Sequence, residues 1–452
     1  MKPVTISVND INNKKKARIK YWPLHRRFMF AQIIAILWMV GSIIISLGWI
    51  VQVGDDITVP LAVIFISGVA FLPGYTNAFY IISLLIDRQK PFKEEYPTDA
   101  VSILIAAYNE EEDIYKTLEH INDQDYDGEI KVFVCNNNST DNTVAEVERA
   151  QKDFSLDLEL LLEEKKGKFH ALNTGLKHVK APFVITLDAD TIIHPSAVRF
   201  LVARFKTDEK RAGAVAGSMM VNNPGDSRMA SIQYFDYAMS IAAAKRLQGM
   251  YQETLVAQGA FSLYKTDLVR EIGGWPDAIG EDIVITWKIM QAGYRVYFEP
   301  LAVAFTDVPR TLKDFIKQRS RWARGMIEGL KAVLPWHQTN IFSKILTGFD
   351  LFVPVVDISV TFFWIPGLLL AILLQDFLIA GPLTLLVLPI VAFTNIYLYW
   401  FQKSYTFKIL DMPTEGSFFS FVLFIFSYQL LSSPTSILGY IQGLLNLRRV
   451  WK

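Results

Sequence analysis

The sequence predicts an α/β domain inserted between α-helical transmembrane segments. Three observations carry that expectation. Long apolar runs occupy both ends of the 452-residue chain, while the middle reads as ordinary soluble protein. In that middle, short β-type runs alternate with helical patterns, as in a sheet covered on both faces. Between the middle and the later apolar runs lies a helical pattern, 312–334, carrying arginines and a tryptophan on its polar side.

Residues 1–27 are polar and basic, with Lys14-Lys15-Lys16, Arg18, Lys20 and His25-Arg26-Arg27. The apolar run 28–53 is too long for a signal-peptide core and lacks a small-residue cleavage site, so it reads as a membrane span, which takes about 20 apolar residues. Basic residues ahead of it place the N-terminus in the cytoplasm. A second run, 57–85, follows the Asp55-Asp56 turn; these two helices fill 28–86, and the chain returns to the cytoplasm at Asp87-Arg88-Gln89-Lys90.

Residues 98–310 form the expected α/β domain. Strands are predicted at 101–108, 130–135, 158–162 and 182–187. Asn109 is expected to cap a helix whose first turn holds Glu110, Glu111, Glu112 and Asp113, where the helix dipole favours acids. Ser139 to Thr143 opens the next helix, and 169–178 forms the one after that. This pitch predicts a parallel sheet whose ligands sit beyond the strand carboxyl ends, where Asn136, Lys168 and Asp188 fall. Segment 311–349 reads as interfacial and amphipathic. Within 350–447, the runs 350–374 and 378–401 each suffice to span. The run 418–445 is broken by Ser432-Ser433-Pro434, and a single crossing would leave Arg448, Arg449 and Lys452 outside, against the positive-inside tendency; a split segment would not. Five spans are expected.

Composition narrows the function. Lys+Arg and Asp+Glu number 45 each, so there is no basic footprint for nucleic acid. The single cysteine, Cys135, excludes an internal disulfide and a cysteine-based metal site, and its apolar run predicts a buried strand thiol. Six histidines, including His170 and His194, read mostly as surface or loop residues rather than ligands.

Five motifs carry chemistry, and each has an ordinary counterpart. Asp188-Ala189-Asp190 at a strand end can hold a hard cation shared with substrate phosphates, or can be a solvated turn. Lys168, in Lys165-Lys166-Gly167-Lys168 before a helix, can attract an anion, or can belong to a charged loop. Asn136 and Asn137, in Asn136-Asn137-Asn138-Ser139, can hydrogen-bond a base or ribose, or cap a helix. Glu281-Asp282 opens a helix after Trp275-Pro276; acids suit a helix start, yet the apolar surroundings predict burial, where a carboxylate is costly unless used or paired. Gln318-x-x-Arg321-Trp322 can bind a phosphate and stack a sugar, or can be the polar edge of an interfacial helix with Arg319 and Arg324 near lipid headgroups.

The order Lys168, Asp188-x-Asp190, Glu281-Asp282, Gln318-x-x-Arg321-Trp322 resembles the processive, membrane-embedded glycosyltransferases of family 2: cellulose, hyaluronan, chitin and poly-N-acetylglucosamine synthases. Gly273-Gly274-Trp275, Gly280 to Ile283 and Phe298-Glu299-Pro300 are most similar to bacterial poly-N-acetylglucosamine synthases. The resemblance implies a cytoplasmic GT-A (Rossmann-like) catalytic domain in the plasma or inner membrane. It implies a UDP-sugar donor, UDP-GlcNAc or UDP-Glc, a growing polysaccharide acceptor, the lipid bilayer as partner, and Mg2+ or Mn2+. It further implies Asp190, with Asp188, at the metal and nucleotide; Lys168 near the nucleotide; Asp282 as general base, beside Glu281; and Gln318, Arg321 and Trp322 at the diphosphate and acceptor. Accessory or export subunits are compatible with it. Two departures stand out: Asn136 to Asn138 replace the family's usual aspartate, and Ala323-Arg324-Gly325-Met326 replaces Ala-Gln-Gly-Gly. Single-sugar transfer to a lipid, and an inactive membrane binding or regulatory protein, are the competing readings.

Overall fold

The first four strands form where their β-branched runs place them. The computed structural model describes residues 1–5, 7–9, 22–86, 90–252 and 254–447, with backbone alone for Ser240 and 382–388. β1 (Val101–Ala107), β2 (Ile130–Asn136), β3 (Asp157–Leu162) and β4 (Phe183–Asp188) lie parallel in the order β3-β2-β1-β4. Ile103 and Ile105 face one hydrophobic cluster and Leu104 the other, so β1 is buried on both faces. Cys135 is buried at the end of β2, where burial pushes its thiol up to about 12.

Beyond β4 the parallel expectation fails. β5 (Thr191–Ile193), β6 (Ala212–Val221), β7 (Phe261–Lys265) and β8 (Arg295–Thr306) extend the sheet to eight mixed strands, ordered β3-β2-β1-β4-β7-β6-β8-β5. β7 runs antiparallel to both β4 and β6. The reason lies in β6, which is Ala, Gly, Ser, Met and Val; its ten positions are all buried, so tertiary packing makes a strand where propensity is weak.

The helices that matter for the site are α1 (Lys168–His178), α2 (Glu281–Gln291), α3 (Leu312–Ala332) and α4 (Phe418–Leu444). α3 starts where Thr311 Oγ1 accepts from Asp314 N at 3.2 Å. Asn109, by contrast, caps no helix. It sits at φ 56°, its Oδ1 accepts from Thr140 N at 2.8 Å, and the helix begins at Ile114. The acids expected in that helix's first turn instead stitch loops together: Glu111 accepts from Asn142 N at 2.8 Å.

The polar N-terminus also departs from expectation. Val4 and Val8 are buried in the core, Val4 N donates to Ser196 Oγ at 2.9 Å, and Arg199 donates to Val4 O at 2.8 Å. His194, expected at the surface, is buried beneath this strap; its Nδ1 accepts from Ser196 N, and burial pushes it down to about 4. The basic cluster Lys14 to Lys20, the exit Asp87 to Gln89, and Arg448, Arg449 and Lys452 lie outside the described residues.

Among the described residues, four helices are long and apolar enough to cross a bilayer: Leu24–Ile45, Val59–Leu85, Ile341–Leu374 and Phe418–Leu444. The expected segment 378–401 is helical over Pro382–Gln402. Ile45, Ile372 and Leu373 are each at least 70% exposed, an apolar surface that suits lipid and not water, so this is a membrane protein. The break expected at Pro434 does not occur, since α4 runs through it unbroken. Ser433 Oγ and the Tyr440 hydroxyl both donate to the buried Asp357 on a neighbouring helix, and Thr435 and Ser436 hydroxyls donate to carbonyls four residues back. Packing and hydroxyl partners of this kind let an apolar helix keep an internal proline.

One buried ion pair ties the sheet to its covering helix. Arg204 Nε meets Glu299 Oε2 at 2.6 Å, and Glu299 Oε1 accepts from Leu301 N at 3.0 Å. Removing one partner of such a pair strands the other charge, so Glu299→Ala should cost about 3–5 kcal/mol in denaturant unfolding of the solubilised protein. A loss below about 1 kcal/mol would mean that the pair is hydrated.

Candidate active site

Three elements bring the acidic and basic groups together. β4 ends in Asp188, and Asp190 follows in the turn to β5. Gly167, at φ 136°, turns the chain into α1 and presents Lys168. Lys168 Nζ bonds Asp188 Oδ1 at 2.5 Å and reaches Glu281 Oε1 at 3.5 Å. Burial disfavours the ammonium, but the Asp188 and Glu281 carboxylates outweigh it and hold the Lys168 pKa above its usual range. Glu281 is itself buried, and burial pushes it up to about 7 against the pull of Lys168.

Asp282, one residue on in the first turn of α2, is held by the backbone. Ile283 N donates to its Oδ1 at 2.9 Å and Gly259 N to its Oδ2 at 3.4 Å. A Cβ at position 259 would lie 3.0 Å from Lys168 Nζ and 3.3 Å from Glu281 Oε1, so glycine lets this turn approach. Sequence reasoning missed Gly259 and its neighbours. Lys245 Nζ donates to Gln258 Oε1, and Gln258 Nε2 donates to Gly217 O at 2.5 Å. Burial pushes Lys245 down to about 8, opposed by the Asp282 charge. Lys245 and Asp282 are distant in sequence and each bonds the Gln258-Gly259 turn; the only local signal was a glycine just before an apolar run.

α3 packs against the start of α2 at the site. A Cβ on Gly280 would lie 2.7 Å from Gly325 Cα, so α2 and α3 touch backbone to backbone beside Asp282. Glu328 Oε2 accepts from Ile279 N at 2.7 Å and its Oε1 meets Arg324 Nε at 3.2 Å. Arg319 is likewise buried, paired with Asp236 at 2.9 Å. Neither arginine faces lipid headgroups, contrary to the interfacial reading. Gln318, Arg321 and Trp322 stand at i, i+3 and i+4 on one face, where Arg321 and Trp322 are exposed and Gln318 Oε1 has no partner. Tyr237 links this face to the Asp190 turn. Burial pushes its hydroxyl up to about 12; Arg319 opposes, Asp236 and Asp190 add, and Arg321 opposes.

The asparagine loop is tied together by its own side chains. Asn137 Nδ2 donates to Glu163 O at 3.0 Å and Lys165 O at 2.7 Å, while its Oδ1 accepts from Gly167 N at 2.7 Å. With both amide protons engaged, Asn137 holds the loop that delivers Lys168. Asn136 Oδ1 accepts from Ser139 N at 3.3 Å.

Among the described residues, no group of three or more His, Cys, Asp or Glu is arranged to hold a metal unaided. Two carboxylates, Asp188 and Asp190, suit a hard cation that takes its remaining oxygens from a substrate diphosphate. The charges agree: Asp188, Asp190 and Asp282 already match Lys168, Lys245 and Arg321, so a diphosphate needs a further cation.

Comparison with known proteins fits this geometry. A family model described as "Glycosyltransferase like family 2" matches residues 97–325. Poly-beta-1,6-N-acetyl-D-glucosamine synthase of Staphylococcus aureus is 32% identical over 313 residues, 67% of this chain and 73% of that one. The Staphylococcus epidermidis enzyme of the same name is 32% identical over 266 residues, 56% of this chain and 64% of that one. A mannosyltransferase from Pyrobaculum calidifontis, solved with GDP-Man and Mn2+, superposes with a TM-score of 0.56 at 20% identity, covering 85% of this chain and 99% of that one. The shared fold is the GT-A type.

Glu281 gives the site a pH signature. Between 4.5 and about 7 the folded protein keeps a proton that the unfolded chain has released, so stability falls as pH rises through that window. Glu281→Gln should flatten this slope in melting curves taken from pH 5 to 8. An unchanged slope would mean that Glu281 ionises normally.

Proposed function

The chain belongs to glycosyltransferase family 2, and we propose that within it this polysaccharide-synthesising enzyme is processive and inverting, using a UDP-sugar. UDP-N-acetylglucosamine is the first candidate donor and UDP-glucose the second, because the curated relatives are poly-N-acetylglucosamine synthases. The observation that supports the reading most is the contact of Gly280 with Gly325, which brings the start of α2, where Asp282 stands, against the helix that carries Gln318, Arg321 and Trp322.

The chemistry follows from that placement. An acceptor hydroxyl beside Asp282 gives its proton to the carboxylate while its oxygen bonds to the anomeric carbon of the donor. The bond from that carbon to the diphosphate breaks, and UDP leaves with the electron pair. Attack opposite the leaving group turns an α-linked donor into a β-linked product. Asp188 and Asp190 would hold Mg2+ or Mn2+, which neutralises charge on the diphosphate when bound. Arg321 and Gln318 add donors at the same phosphates, and Trp322 stacks the acceptor ring. Lys168 keeps Asp188 and Glu281 oriented near the nucleotide.

The domain 98–310 then lies in the cytoplasm, with 28–86 and 350–447 in the bilayer forming the export path and 311–349 at its mouth. In the stretch that departs from Ala-Gln-Gly-Gly, Arg324 pairs with Glu328 and Gly325 packs on Gly280, so both residues have packing partners within the protein.

Asp282→Asn should leave UDP binding within about twofold of wild type and lower polymer formation by about 100- to 10,000-fold. Isothermal titration with UDP and gel analysis of product measure the two. Polymer at wild-type rate would remove Asp282 from the base role, and single-sugar products from the wild type would favour transfer to a lipid.

A further inference from the structure

Behind the exposed face of α3 lies a charge cluster that the catalytic reading does not use. Arg319 is 6% exposed and meets Asp236 at 2.9 Å, and the Tyr428 hydroxyl of α4 donates to the same carboxylate at 2.6 Å. The Arg319 guanidinium lies over the Trp322 ring at 4.2 Å, with Phe315 at 5.2 Å, Tyr428 at 5.7 Å and Tyr237 at 5.9 Å around it. Trp322 nevertheless keeps 38% of its surface exposed. One side of the indole is therefore backed by a cation and another is exposed.

Asp236 and Tyr237 begin a π-helical turn, Asp236–Ile241, between the α-helices Arg228–Phe235 and Ala242–Met250. Such turns recur at functional sites. Here the turn sets both side chains against α3, Asp236 on Arg319 and Tyr237 beside Trp322 at 6.3 Å between rings. A buried ion pair is a poor device for stability alone, since apolar replacements of equal volume are often as stable. It is a good device for fixing an orientation, because the planar guanidinium both forks to a carboxylate and stacks on an aromatic face.

We propose that Arg319, anchored by Asp236, is a positioning residue that aims the Trp322 indole at the acceptor sugar. This rests on the reading that Trp322 stacks the acceptor. The joint takes one member from each of three elements, the sheet domain through Asp236, α3 through Arg319 and α4 through Tyr428. The acceptor platform is thereby registered to the donor site and to an apolar helix at once.

The test uses the full-length detergent-purified protein with UDP-N-acetylglucosamine, Mn2+ and β-linked N-acetylglucosamine oligomers. Arg319→Lys keeps the charge and loses the planar plate. It should raise the acceptor KM about tenfold and shorten the product, with donor KM and acceptor-free UDP release within about twofold of wild type. Asp236→Asn, which frees the guanidinium from its anchor, should show the same split, and it serves where the lysine variant does not fold. Wild-type kinetics in both variants, or donor and acceptor parameters falling together, would overturn the proposal. Trp322→Ala separates it from its premise: if that variant keeps acceptor KM and product length, the stacking reading itself fails.

Discussion

The site depends on one ammonium group. Asp188, Glu281 and Asp282 come from two different elements, and carboxylates gathered at a cleft repel one another unless a cation lies between them. Lys168 supplies it, touching Asp188 and Glu281 and feeling Asp282. Several features exist to deliver that group. Gly167 turns the chain at a φ open to glycine, Asn137 clamps the loop before it, and Gly259 leaves room for the ammonium beside Glu281. The Asp188-Asp190 pair is thus offered to a cation and diphosphate with one carboxylate already oriented.

Around that centre the molecule is assembled by close approach. α2 and α3 meet at Gly280 and Gly325, and α3 meets α4 where a Cβ on Gly439 would fall 2.1 Å from Ser320 O. Arg324 and Lys331 of α3 donate to Leu447 O and Gly443 O at the carboxyl end of α4, where a helix dipole favours cations. The apolar helix α4 and the helix that carries Gln318, Arg321 and Trp322 therefore pack as one unit. Catalytic domain and spans are one device in this fold.

How much of this was legible in the sequence follows from what is local and what is not. The strands 101–108 and 130–135 match β1 and β2 to within a residue because β-branched runs announce themselves. The acid-headed helix and its partner α3 were equally clear, from first-turn acids and from the helical pattern 312–334. β6 was silent, because alanine and glycine become a strand only when buried between neighbours. Asn109 and Pro434 misled for opposite reasons: a left-handed turn overrode a good cap, and packing against Asp357 overrode a helix breaker. At the site, Lys168, Asp188, Glu281 and Asp282 were all singled out and all converge. The loop bonds of Asn137 were not legible, and Lys245, Gly259 and Asp236 were invisible, since each acts through a contact far along the chain.

The central claim is that these groups release UDP from a sugar donor as they extend a polymer. The most direct measurement is UDP release from the purified protein across a panel of UDP-sugars with Mg2+ or Mn2+, read together with product mass. The account predicts release with one donor, dependent on the divalent cation and accompanied by high-molecular-mass product. Metal-dependent release that never yields more than a single transferred sugar, or silence across the whole panel, would contradict it.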